Sequence, residues 1–158
     1  MQRWLSMPHV EKWWHEPLDA AGVRAKYLPR IDGSEPTHVH VIEFHAQPIG
    51  WIQHYRWADY PEHAALLGAE PEAAGIDLAL GEVGMLGLGL GPLAIRAFLV
   101  DIVFSDATVV ACMSDPETRN TRSVRAFQKA GFRVVRTVQL PGEPGTREVV
   151  RYERRCLA

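Results

Sequence analysis

The densest chemical signal in the chain is Gly87-Leu88-Gly89-Leu90-Gly91-Pro92. Glycines this close together ahead of a helix let backbone N–H groups approach an anion, and the helix dipole adds to the attraction. The same spacing also suits a glycine-eased helix start against a sheet, so both readings stand. Counted from Gly87, the third glycine of G-x-G-x-x-G falls on Pro92, which excludes the dinucleotide fingerprint. No Gly-Lys-Ser/Thr follows, which excludes a P-loop. All seven histidines lie at or before His63. His38, His40 and His54 fall close together, but zinc needs three or four ligands with a geometric reason. A strand face explains them better, and no metal is expected. Cys112 and Cys156 make neither a disulfide framework nor a zinc site. No Ser-His-Asp or Cys-His spacing supports a nucleophile.

The elements that must position these groups follow from punctuation and periodicity. Residues 8–27 are aromatic and helical in flavour, with a short second helix over 18–27 that ends before Pro29. A loop over 30–36 holds Asp32-Gly33-Ser34. Alternating, β-branched runs predict strands over 38–45 and 49–57, joined by a turn at 46–48 into a hairpin. Residues 59–72 read as a loop with a short helix, and 75–81 as a strand. The helix over 92–104 has only Arg96 and Asp101 as charges and is expected to be buried all round. A strand over 108–113 leads through Asp115-Pro116 into a helix over 119–130, which Gly131 stops. Strands over 132–140 and 146–154 close the chain around a turn at 141–145. The order predicts an α+β (mixed α/β) fold in one domain over 1–158.

Composition narrows the function classes. The chain has 158 residues, 47% hydrophobic and 23% charged, which is ordinary for a globular domain. A net charge of −2 argues against a nucleic-acid binder. That total hides a split: residues 1–115 carry 7 Lys/Arg against 15 Asp/Glu, and residues 116–158 carry 10 against 4. The uncharged stretch 83–95 is too short for the roughly 20 residues that span a bilayer. Without a signal-peptide pattern at the start, a reducing, cytoplasmic setting is expected, with no membrane partner.

Larger patterns carry a resemblance. Asn120, Ala126, Phe127 and Gly131-Phe132 follow Ser114-Asp115-Pro116 in the order found at the end of the Gcn5-related N-acetyltransferase (GNAT) domain. The glycine stretch, from Leu86 to Gly91, is similar to that family's Q/R-x-x-G-x-G/A loop. Leu86 stands where Gln or Arg is usual, Leu88 where a basic residue is common, and Pro92 removes one amide donor. Gly75-Ile76-Asp77 lies ten residues before Gly87, and Gly50-Trp51-Ile52-Gln53-x-Tyr55 precedes it. With Asp-Pro and Asn-x-Arg-x-x-Arg downstream, these stretches resemble the aminoglycoside 6'-N-acetyltransferases. The resemblance runs over nearly the whole chain and is weakest at 58–74. Siderophore-biosynthesis acetyltransferases share some of it, but a His would be expected at Asp77.

The resemblance implies a central, mostly antiparallel twisted sheet flanked by helices, with acetyl-CoA as cosubstrate. It implies that Asp77 is the general base for the attacking amine, since an ammonium cannot attack a thioester until it loses a proton. It places Leu80, Glu82 and Val83 near the acetyl group, where a backbone N–H meets the oxyanion. It gives Gly87, Leu88, Gly89, Leu90, Gly91 and Pro92 to the diphosphate and pantetheine, Asn120 to the pantetheine arm and Arg125 to the phosphates. Asp115, Trp51, Tyr55, Trp57 and Glu70 would line a cleft for a small cationic amine, with Asp59, Glu62 and Glu72 adding acidity. Asp115 also suits a helix N-cap. Phe127 stands where the family often has a Tyr that protonates the leaving thiolate. Ala64 to Gly68 stand where the relatives carry an aromatic and acidic cluster. The readings kept open are transfer to an aminoglycoside, transfer to a siderophore precursor or polyamine, and a catalytically silent CoA-binding domain. Monomer and homodimer are both compatible.

Overall fold

A computed structural model describes residues 1–16 and 19–154. Six helices are present among them: α1 (Gln2–Leu5), α2 (Pro8–Trp14), α3 (Ala20–Asp32), α4 (Pro61–Leu67), α5 (Leu90–Asp101) and α6 (Thr121–Ala130). Six strands, β1 (His38–Phe44), β2 (Gln47–Arg56), β3 (Ala74–Leu80), β4 (Ala111–Ser114), β5 (Arg133–Gln139) and β6 (Thr146–Glu153), form a sheet in the order β1-β2-β3-β4-β6-β5. The fold is mixed α/β with a mostly antiparallel sheet. Among the described strand pairs, β3 and β4 run parallel, with Ala74 opposite Cys112 and Gly75 opposite Met113. The chain divides into two compact units, Met1–Tyr55 with Asp77–Gly91, and Arg56–Ile76 with Pro92–Ala158.

In the first unit an aromatic core explains why the short N-terminal helices persist. Helices of four and seven residues are too short to be stable alone. They are held by Trp4, Leu5, Val10, Val23, Tyr27 and Trp51, which pack as one buried cluster. Trp51 is stacked on Trp4 at 6.1 Å and tilted against Trp14 at 5.0 Å. α3 opens on Asp19, whose carboxylate accepts from the Gly22 N–H at 2.8 Å. The expected start at Leu18 lies outside the described residues. The expected end before Pro29 is corrected: α3 runs through Pro29 to Asp32 and closes on Gly33 at φ 81°. Tyr27 is buried on one side of the proline and Arg30 is anchored on the other. This tertiary hold offsets the roughly 3 kcal/mol that an interior proline costs.

The hairpin turns at His45-Ala46, earlier than expected, with φ of 50° and 58°. Positive φ at both central residues is the geometry that follows strand twist, although neither residue is glycine. Pro48 therefore lies inside β2, opposite Glu43 at a register shift, where a missing N–H is tolerated. Gly50 permits the close approach of β3: a Cβ there would run into the Ala79 carbonyl oxygen. Gly81 does the same for the Trp4 indole.

In the second unit, β4 pairs antiparallel with β6, and β6 with β5. The expected strand at 108–113 shortens to Ala111–Ser114. Asp106 accepts from the Thr108 N–H and hydroxyl at 2.8 and 2.7 Å, which holds the preceding residues in a turn. α6 buries Phe127 and Ala130 and ends on Gly131 at φ 108°. Phe127 packs edge-on to Phe132 at 5.0 Å. α5 departs from the expectation of burial all round. Ile95, Phe98 and Leu99 are buried, whereas Leu93 and Val100 are 52% and 72% exposed. The helix also stops at Asp101, and Ile102 (φ −120°, ψ −63°) leads into a 3-10 turn at Val103–Ser105. No helix among the described residues is long and apolar enough to cross a membrane.

Candidate active site

Asp77 lies in the middle of β3, and its carboxylate is tethered from β2. Gln53 Nε2 donates to Asp77 Oδ2 at 3.0 Å. Arg30 Nη1, from α3, donates to Gln53 Oε1 at 2.9 Å, and Arg30 Nε donates to Glu35 Oε2 at 3.0 Å. Gln53 is buried. Tyr27 sits beside this chain, with its ring under the Arg30 guanidinium at 5.5 Å. Burial, reinforced by the charges of Glu16 and Asp77, pushes the Tyr27 phenol well above its ordinary value, so it stays neutral. Its hydroxyl is buried without a hydrogen-bond partner.

Where β3 ends, the backbone stays bound to β2. The Gly81 and Glu82 N–H groups both donate to the Ile49 carbonyl, at 2.8 and 3.2 Å. The Glu82 side chain accepts from Trp4 Nε1 at 2.6 Å and pairs with Arg3. His9 Nε2 lies 2.9 Å from the Leu80 carbonyl oxygen. Val83 begins a 3-10 turn, Val83–Met85, and is exposed, as is Leu88. Gly87 and Gly89 each have φ of 79°, and a Cβ at either would meet nothing within 4 Å. Their backbone faces open space in a conformation that only glycine adopts without strain. Leu90 and Gly91 begin α5, and Pro92 sits in its first turn, where a missing N–H costs little. The loop thus leaves open space beside the backbone at both glycines, space that a side chain would enter.

In the second unit Asp115 follows β4 and is buried. His63, from α4, lies 3.3 Å from Asp115 Oδ2 through Nε2. A carboxylate only accepts, so His63 Nε2 carries the hydrogen. Arg147 Nη1 donates to the Asp115 carbonyl at 3.0 Å and lies 3.5 Å from Oδ2. The Trp57 ring stacks on His63, with centroids 5.6 Å apart and planes 18° apart. Glu70 is paired with Arg151, which holds its carboxyl below the usual range. Asn120 caps α6 by accepting from the Ser123 N–H at 3.3 Å, which uses its oxygen and leaves its amide as the donor. Arg125 is exposed on α6.

Several expected placements change. Trp51 is 0% exposed and belongs to the core between Trp4 and Trp14, so it touches no substrate. Asp115 does not cap α6, because Asn120 does. Phe127 is a core residue. Tyr55 is half-buried on β2 and Trp57 is buried. His38, His40 and His54 do cluster, with His40 Nε2 3.3 Å from His54 Nδ1. No group of three or more His, Cys, Asp or Glu among the described residues is arranged to hold a metal. Cys156 lies outside the described residues. His63, Arg30 and Gln53 as a tether were not legible as site residues.

The family model described as "Acetyltransferase (GNAT) domain" matches residues 1–140. The chain belongs to the GNAT acetyltransferase family. It is an N-acetyltransferase with acetyl-CoA as cosubstrate. It is 31% identical over 147 residues to an aminoglycoside N(6')-acetyltransferase type 1 of Klebsiella pneumoniae, across 91% of this chain and 73% of that one. It superimposes on the crystal structure of an aminoglycoside acetyltransferase, AAC(6')-Ib, in complex with coenzyme A and kanamycin. That match has a TM-score of 0.78 and 31% identity over 97% of this chain and 87% of the other. A lysine N-acyltransferase of Mycobacterium sp. (strain MCS) is 25% identical over 131 residues, covering 83% of this chain and 53% of that protein.

Proposed function

We propose that this enzyme transfers the acetyl group of acetyl-CoA to an amino group of an aminoglycoside, with Asp77 as the general base. The observation that carries the substrate class is the 31% identity to the Klebsiella pneumoniae enzyme along 91% of the chain. What supports the base is a carboxylate in the middle of β3, tethered through one oxygen by a buried amide. The cosubstrate supplies an activated acetyl thioester. The work left to this chain is to bind, to orient and to take up a proton. Asp77 accepts the proton of the bound ammonium, directly or through water. The acetyl oxygen needs a preorganised N–H. Of Leu80, Glu82 and Val83, the Glu82 N–H already donates to the Ile49 carbonyl, so Leu80 and Val83 are kept for this role. The Gly87 and Gly89 backbone, with Leu88, Leu90 and Gly91, holds the diphosphate. Asn120 reaches the pantetheine arm through its amide, and Arg125 supplies counter-charge to phosphate. No phenol stands at Phe127, so the thiolate leaves with a proton from water.

Asp115 holds an amine or hydroxyl of the substrate, and half-buried Tyr55 offers an apolar wall; Trp57, at 1% exposed, backs His63 from the core and leaves the substrate-binding set with Trp51. Two of the acids expected to attract a cation carry basic partners: Asp115 has His63 and Arg147, and Glu70 has Arg151. Glu70 is therefore a brace for Arg151, and it leaves the substrate-binding set. This internal neutralisation favours a small aminoglycoside, or a second reading with a simple alkyl amine such as lysine. The reaction belongs in the cytoplasm, where acetyl-CoA is available, and needs no partner beyond a monomer or homodimer. A thiol-release assay with acetyl-CoA against kanamycin, ribostamycin, lysine and spermidine tests the proposal. Turnover of an aminoglycoside above the simple amines is expected. Turnover confined to lysine or spermidine overturns the substrate class.

A further inference from the structure

We infer that Gln53 is a positioning residue for the Asp77 base and that Arg30 fixes its direction, an inference that rests on Asp77 being the base. An amide side chain has two ends of similar shape, one accepting and one donating. Arg30 has donors alone, so its bond to Gln53 at 2.9 Å requires Oε1 at that end. The Gln53 NH₂ is then obliged to face Asp77, which it meets at 3.0 Å. The result is a one-way chain of donors, from Arg30 through Gln53 to Asp77 Oδ2. A donor aimed at Oδ2 favours the ionised carboxylate and disfavours a proton on that oxygen. Three elements contribute: Arg30 from α3, Gln53 from β2 and Asp77 from β3.

The surroundings support a directional chain. Gln53 is buried, which protects the link from competition by water. Arg30 is held at its far side by Glu35 Oε2 at 3.0 Å and lies against the Tyr27 ring. Two further ionisable groups beside this chain are Tyr27, which stays neutral, and Glu16, which is paired with Lys26.

The test compares Gln53→Leu, Arg30→Met, Arg30→Lys and Asp77→Asn. It uses acetyl-CoA and whichever of kanamycin, ribostamycin or lysine the unaltered enzyme turns over fastest. Steady-state rates are taken from pH 5 to 9, beside thermal melting. Gln53→Leu is expected to lower kcat about tenfold and leave the KM for acetyl-CoA within twofold. It should also move the acid limb of the kcat/KM profile up by about one pH unit, the size of one charge-assisted hydrogen bond. Arg30→Met should move the same limb in the same direction by less, and Arg30→Lys should restore part of it. If Gln53→Leu does not fold, the Arg30 pair decides. Folded Gln53→Leu or Arg30→Met protein with an unmoved acid limb and unchanged kcat overturns the inference. Asp77→Asn separates the two failures. If it keeps full activity, Asp77 is not the base; if it is inactive while Gln53→Leu is unaffected, only the positioning role is lost.

Discussion

Replacing Gly89 with alanine separates two effects that a glycine loop usually mixes. Gly89 has φ of 79°, and an added Cβ meets nothing within 4 Å. The cost to the fold is then the left-handed backbone alone, about 1 kcal/mol. In a chain of this length that lowers Tm by roughly 2–4 °C. The cost to cosubstrate binding is larger, because the new methyl group stands where the diphosphate must approach the backbone N–H. Losing one charge-assisted hydrogen bond removes about 1.5–3 kcal/mol, which is a tenfold or greater rise in Kd for CoA. Gly33→Ala is the matched control: φ is 81°, a Cβ there also meets nothing within 4 Å, and the site closes α3. Calorimetric titration with CoA on both variants should give equal losses of stability and unequal affinities. A folded Gly89→Ala protein that binds CoA within twofold of the parent refutes the phosphate cradle. Gly89→Val should exaggerate the same difference.

Three further outcomes follow from named contacts. Gly50→Ala should cost at least about 2 kcal/mol and 4–8 °C in Tm, because its Cβ would run into the backbone of Ala79 and Leu80. His63→Ala should leave the KM for acetyl-CoA unchanged and lower the KM for a polycationic amine roughly threefold to tenfold, since Asp115 loses a competing partner. An unchanged amine KM would remove Asp115 from the substrate subsite. Burial pushes the His54 imidazole down to about 4, with His40 and His38 adding to the effect. The unfolded chain then binds the extra proton between about pH 6.5 and 4, so stability is full above that window and falls as pH drops through it. After discounting for partial exposure, His54→Leu should flatten roughly 1 kcal/mol of that fall in melting experiments. An identical slope in the variant would deny His54 any part.

Local patterns carried far, and they failed where tertiary contact decides. The glycine loop, Asp77 inside a strand and Gly131 as a helix stop were all legible, because each rests on backbone chemistry within a few residues. Trp51 was not legible, because β2 buries Trp51, Ile52 and Gln53 in succession and alternation cannot sort wall from core. Pro29 misled because Tyr27 and Arg30 anchor the helix on both sides of it. The apolar run of α5 suggested burial all round, yet one helix face leaves Leu93 and Val100 in solvent. His63 meets Asp115 across 52 positions, and Arg30 meets Gln53 across 23, separations that leave no local mark. The charge split of the chain also dissolves at the site, where basic Arg147 and Arg151 sit on the acids expected to attract an amine.

The central claim is that Asp77 takes the proton of the attacking amine, and Asp77→Asn tests it most directly. Thiol release is followed at saturating acetyl-CoA with the best amine of the panel, beside CoA affinity by calorimetry. The account predicts a kcat lower by about a hundredfold or more, with CoA affinity unchanged. A kcat within twofold of the parent, in a folded variant, would contradict it.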